Sequence, residues 1–161
     1  MPYAPFNLEG KVALVTGGNR GIGFGFAQAL YEAGAAVAIW GSNEKNNHDA
    51  VEKLGSGAKA WTVDVADEKQ VAQAMAEVAG HFGRIDSVFA NAGIGGGAKS
   101  FAEFPTETYR RVLSVNLDGV FFTLREAAKH MIERAKAGDP GGSLVGLASL
   151  AAIEGAARNE A

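Results

Sequence analysis

The sequence predicts an α/β protein built on a doubly wound parallel sheet in three layers, helices on both faces. Three observations carry that expectation. Five short apolar runs are spaced along the chain, longer helical patterns separate them, and a glycine-rich turn joins the first run to the first helix. Runs with continuous rather than alternating hydrophobicity are how strands buried on both faces read. Repeated strand–helix alternation implies right-handed βαβ crossovers.

The strand candidates are Val12–Val15, Ala36–Trp40, Ala58–Val63, Ser87–Ala90 and Leu144–Ala148. Each is too short for an ordinary helix. In the first helix Ile22, Phe26, Leu30 and Ala33 share a face, and Gly34 supplies the stop. A weaker second pattern runs from Asn43 to Leu54 and ends at Gly55. Val71, Met75, Val78 and Phe82 mark a third helix, closed by Gly83. The longest pattern runs from Thr106 to about Lys136 and stops at Gly138-Asp139-Pro140-Gly141-Gly142.

Composition narrows the function classes. At 161 residues the chain fits one domain with a real core, residues 1–161 as a single unit. Apolar residues make up 47% and charged residues 20%, a globular balance. The net charge of -3, with no basic tract, argues against nucleic acid and anionic membrane as partners. There is no cysteine, which excludes disulfides and thiolate metal sites. His48, His81 and His130 show no ligand spacing and read as surface or helix-end histidines. Met1-Pro2-Tyr3-Ala4-Pro5 has neither a basic nor an apolar leader region, and the expected location is cytoplasmic.

The chemistry sits first in Thr16-Gly17-Gly18-Asn19-Arg20-Gly21-Ile22-Gly23. A buried strand, a glycine turn and a helix N-terminus form a ready anion site, and a dinucleotide diphosphate is the expected anion. Gly17 suits a turn needing positive φ, Gly21 allows close approach to phosphate, and Gly23 allows the helix to pack on the strand. No Gly-Lys-Ser/Thr follows, so a Walker-type hydrolase is excluded.

Four further segments follow in order. Asp64-Val65 comes after the third strand, Asn91-Ala92-Gly93 after the fourth, Ser114-Val115-Asn116-Leu117 in the long helix, and Ser149 after the fifth strand. With the glycine loop, the set resembles the short-chain dehydrogenase/reductase family, classical type, over Lys11 to Ala161. The resemblance implies a Rossmann-like sheet with strands ordered 3-2-1-4-5. It implies an NAD(P)-dependent oxidoreductase moving hydride between nicotinamide and a carbonyl or alcohol substrate. Thr16, Gly17, Asn19, Arg20, Gly21, Ile22 and Gly23 would hold the diphosphate, with Ser42 at the second strand's end. Asp64 would accept from the adenine amino group beside Val65, and Asn91, Ala92 and Gly93 would line the adenosine path. Asn116 would position a proton-relay water and Ser149 would bind the substrate oxygen.

The second strand ends Trp40-Gly41-Ser42-Asn43, with no acid to read an unphosphorylated ribose. The resemblance further implies that a basic residue where Arg20 stands, before Gly21, favours NADP(H) over NAD(H). The family's Y-x-x-x-K pair is not in this chain. Tyr3, Tyr31 and Tyr109 are followed four residues on by Asn7, Ala35 and Leu113. By resemblance the tyrosine falls just past Ala161, so this chain reads as the N-terminal portion of such an enzyme, expected to be inactive by itself. The alternative is a non-catalytic nucleotide-binding or scaffold protein. The resemblance also implies a homo-oligomer, tetramer or dimer, through the 106–136 helix. There Val112, Val115, Val120, Phe121, Leu124, Ala128 and Ile132 spread beyond one stripe. Gly95-Gly96-Gly97 and Phe101 are expected to border the substrate side.

Overall fold

The computed structural model describes residues 6–154. Met1–Pro5, with Tyr3, and residues 155–161 lie outside the described residues. The strands are β1 (Val12–Thr16), β2 (Ala36–Gly41), β3 (Ala58–Thr62), β4 (Ser87–Ala90) and β5 (Ser143–Gly146). They form one parallel sheet ordered β3-β2-β1-β4-β5. The helices are α1 (Gly21–Glu32), α2 (Glu44–Leu54), α3 (Glu68–Phe82), α4 (Thr106–Leu113), α5 (Gly119–Lys136) and a short α6 (Ala151–Glu154).

Strand alternation sorts the core into two halves. Leu14, Ala38, Trp40 and Val88 point to one face, where Val71, Met75 and Val78 of α3 and Ala127 of α5 meet them. Val15, Val37 and Ile39 point to the other, against Ala27 of α1 and Ala50 and Leu54 of α2. Every residue of β1 is buried, as the continuous run requires. At about 25 cal/mol per Å² of apolar surface, these two layers dominate the fold's stability.

Local signals explain the helix ends. Asn43 Oδ1 accepts from Asn46 N at the start of α2, and Asp67 Oδ1 accepts from Lys69 N and Gln70 N at the start of α3. Gly83 ends α3 at φ 78.

Three expectations need correction. The last strand is Ser143–Gly146 rather than Leu144–Ala148, because its partner β4 is only four residues long and the ladder ends where β4 does. The long helix is not regular: Ser114–Asp118 forms a π-helical turn in which Gly119 N bonds back to Ser114 O. His130 is neither superficial nor terminal, since it lies within α5 and its Nε2 accepts from Ile85 N at 3.2 Å. No helix among the described residues is long and apolar enough to cross a membrane.

Candidate nucleotide cleft

A cleft of about 510 Å³ opens beyond the C-terminal ends of β1, β2 and β4. In open α/β sheets ligands bind at this edge, where the strand order reverses around β1. Its floor is built from β1 outward. Thr16 is buried, and its Oγ1 accepts from Asn91 N at 3.0 Å and Ala92 N at 2.9 Å. Asn91 Nδ2 returns the contact by donating to Thr16 O at 2.9 Å. The ends of β1 and β4 are thereby joined by side chains past the point where the ladder stops.

The glycine turn then crosses from β1 to α1. Gly17 N donates to Trp40 O at 2.7 Å, which anchors the turn on β2. Gly17 and Gly21 hold φ of 64 and 54, the left-handed region where a side chain is strained. Gly23 packs so closely that a Cβ there would meet Gly17 O and Asn91 Nδ2. The first turn of α1 contains no acidic residue, and its N-cap Arg20 makes no side-chain cap bond. The amides at that end face the cleft with the positive end of the helix dipole unopposed. Arg20 and Ile22 are exposed there, and among the described residues no carboxylate pairs with Arg20.

Beyond β2, Gly41 is buried while Ser42 and Asn43 are exposed. Asn19 Nδ2 donates to Asn47 Oδ1 at 2.7 Å, linking the glycine turn to α2. Beyond β3, Asp64 Oδ1 accepts from Ala66 N at 3.0 Å and Oδ2 accepts from Arg111 Nη2 at 3.0 Å. Val65 is buried against Gly119, whose missing Cβ gives it room.

Gly17, Asn19, Arg20, Gly21, Ile22, Gly23, Ser42, Asp64, Val65, Asn91, Ala92 and Gly93 thus line a single cleft, and Thr16 lies beneath it. Two residues stand apart from that lining. Asn116 uses its amide as a clamp: Oδ1 accepts from Ile94 N and Nδ2 donates to Ile94 O, both at 2.9 Å. Ser149 is exposed, and its Oγ accepts from Ala151 N at 3.2 Å. Gly95, Gly96, Gly97 and Phe101 do not line the cleft either. Gly96 is instead a packing glycine against Phe104, Thr108 and Val112, and Phe101 is exposed.

Sequence reasoning missed Asn47 and Arg111. An asparagine within an amphipathic helix and an arginine on a polar helix face carry no local signal. Only the crossover that brings α2 under the glycine turn, and α4 beside the end of β3, gives them a place.

A family model described as short chain dehydrogenase matches residues 11–161. Versicolorin reductase 1 of Aspergillus parasiticus is 43% identical over 136 residues, which cover 78% of this chain and 49% of that protein. Sorbitol dehydrogenase of Cereibacter sphaeroides is 35% identical over 93% of this chain and 57% of its own length. The chain spans about half the length of the curated relatives it matches. Among solved structures, NAD+-bound xylitol dehydrogenase superposes with a TM-score of 0.87 at 32% identity, over 94% of this chain and 58% of the other. A 3-ketoacyl-(acyl-carrier-protein) reductase from Brucella melitensis, complexed with NADH, gives 0.88 at 30% identity, over 95% and 63%. With its parallel sheet, glycine turn and matched length, the chain belongs to the short-chain dehydrogenase family.

Proposed function

We propose that this chain is the dinucleotide-binding domain of an NAD(P)-dependent oxidoreductase acting on a carbonyl or alcohol carbon of a small molecule. The observation that carries the reading is the unopposed N-terminus of α1 behind the Gly17–Gly23 turn, opening on the cleft between β2 and β4. Diphosphate oxygens would meet the amides of that turn, and the positive dipole end favours them. Asp64 would take the adenine amino group, and the backbone of Asn91, Ala92 and Gly93 would flank the adenosine. The residues fit such a ligand: glycine at 17, 21 and 23 keeps the floor free of side chains, and among the described residues no carboxylate pairs with Arg20.

The reading extends to NADP(H) in preference to NAD(H). Arg20 is available to a 2′-phosphate, and the end of β2 carries Gly41, Ser42 and Asn43 instead of an acid. The two structural neighbours, one bound to NAD+ and the other complexed with NADH, support the nicotinamide cofactor class.

Bound nicotinamide would supply the hydride acceptor or donor. Of the chain's own residues, Ser149 has its Oγ accepting from Ala151 N, which leaves the hydroxyl proton to donate to a substrate oxygen. Asn116 holds the loop after β4 through Ile94, and its helix backbone would order a relay water beside the π-helical turn. A positioned general acid or base contributes about 10²- to 10⁴-fold. No Y-x-x-x-K pair occurs in these 161 residues, so the 161-residue polypeptide is expected to bind cofactor without useful turnover. The reading includes a cytoplasmic location. It also includes assembly through the outer face of α4 and α5, where Tyr109, Leu117, Phe121 and Ile132 are exposed.

Fluorescence titration with NADPH and NADH tests the proposal. Saturable binding, tighter for NADPH, is the expected result. Absence of binding by either nucleotide would leave a scaffold role in its place; family membership weighs against that role.

A further inference from the structure

We propose that Asn47, acting with Asn19, sets the choice of adenosine ribose by occupying the space at Gly41 where a ribose-reading carboxylate would stand. The inference deepens the nicotinamide dinucleotide reading and rests on it. The ligand it specifies is a dinucleotide with a phosphorylated adenosine ribose.

The geometry begins with Asn47, which is buried on α2. Its Nδ2 donates to Gly41 O at 2.9 Å, and lies 3.3 Å from Trp61 O and 3.4 Å from Thr62 Oγ1. Carbonyl oxygens only accept, so the amide can face them in one orientation alone. Asn47 Oδ1 must then face the glycine turn, where it accepts from Asn19 Nδ2 at 2.7 Å. Asn19 is left with a second N–H and its own Oδ1 directed elsewhere, at a position lining the cleft. One buried amide therefore ties β2, β3, α2 and the glycine turn together, and fixes which atoms Asn19 presents.

The same pair fills the space beside Gly41. A Cβ at Gly41 would collide with Asn19 Nδ2, Asn19 Cγ and Asn47 Oδ1. An acid at the end of the second strand is the usual reader of unphosphorylated ribose hydroxyls, and it repels a 2′-phosphate. Here that position is closed to any side chain while the Asn19–Asn47 bond stands. The choice is thus built into two asparagines in different elements, not only into the lack of an acid. Asn47 is buried and does not line the cleft, so it acts as a positioning residue through Asn19 and Gly41.

The test is titration of NADPH and NADH against the intact protein and its variants, with thermal melts in parallel. Wild type should prefer NADPH by at least about tenfold, the scale of a charge-assisted contact. G41D alone should lose NADPH binding without gaining NADH, because its carboxylate has no room. G41D/N47A should bind NADH at least about tenfold more tightly than G41D. N19A/G41D opens the same space from the exposed side and should move NADH binding the same way, even if truncating buried Asn47 harms folding. N47A alone should reduce the NADPH-to-NADH ratio, a change that lost stability by itself would not produce. The inference is overturned if G41D alone binds NADH as well as the double variants, if the ratio is unchanged in N47A, or if wild type binds both equally. Binding of neither by wild type would instead remove the nicotinamide reading itself.

Discussion

Asn91 and Thr16 are bound to each other twice, with Asn91 Nδ2 on the Thr16 carbonyl at 2.9 Å and the Asn91 amide on the Thr16 hydroxyl at 3.0 Å. The hydroxyl also accepts from Ala92 N, so one buried oxygen serves two amides at the floor of the cleft. Thr16→Val keeps the shape and removes that acceptor. Leaving buried amides without it costs about 1–3 kcal/mol. Urea unfolding should register the loss, and Thr16→Ser should recover most of it.

Two glycines of α1 separate packing from propensity. Gly23→Ala drives a Cβ into Gly17 O and Asn91 Nδ2, and the first of these is backbone that cannot swing away. It should destabilise the fold and weaken nucleotide binding together. Gly25 has open space where its Cβ would be. Gly25→Ala should therefore stabilise by up to about 1 kcal/mol, the helix-interior difference between the two residues. Melting both variants side by side checks the contrast; equal effects would mean Gly23 is not the packing site described.

This pair also indicates what the sequence could reveal. Val12–Val15 was legible as a strand because both its faces are buried, and Gly23 was legible because a strand–turn–helix needs close packing there. Asp64 and Asn91 were recognisable by order along the chain, yet their present partners were not: Arg111 and Thr16 come from elements 47 and 75 residues away. The π-helical turn at Ser114–Asp118 leaves the apolar spacing almost unchanged, so periodicity reads straight through it. Asn116 was singled out for its backbone, while its side chain proves committed to Ile94.

That clamp can be tested by its polarity. Asn116→Asp replaces the donor to Ile94 O with an oxygen, setting two acceptors against each other, whereas Asn116→Ala merely removes the contact. Hydrogen exchange across residues 93–97 should rise in both, and more in the aspartate variant. Unchanged protection would show that the loop is held by Gly96 packing alone.

His130 provides a pH signature. Burial, and then the nearby Arg134 charge, hold its imidazole below the usual value of 6.5, against a smaller opposing pull from Asp86. Its Nε2 accepts from Ile85 N, a contact open only to the neutral ring. The unfolded chain therefore takes up this proton at higher pH than the fold does. Stability should fall as pH drops below about 6.5 and level off once the folded imidazole is also protonated. His130→Gln, which still offers an acceptor, should flatten the dependence between about pH 6.5 and 5, above the range where carboxylates dominate. Denaturant midpoints across that window measure it.

Arg111 competes for the carboxylate that the nucleotide reading assigns to adenine. The pair is half-exposed, with side-chain exposures of 51% and 38%, so its removal should change stability by no more than about 1 kcal/mol. Its effect on binding is separate from that. Asp64 Oδ1 is already held by Ala66 N, and Arg111 occupies Oδ2, so an adenine amino group must share or displace the guanidinium. In Arg111→Gln the carboxylate stays oriented by Ala66 while Oδ2 is freed. Affinity for NADPH should then rise by about two- to fivefold, the range of an exposed ion pair. The hypoxanthine analogue has a carbonyl where adenine has its amino group, and it should not benefit. An equal gain for both nucleotides would mean that Arg111 acts through the general field of the cleft, and Asp64 would lose its assignment to the adenine amino group.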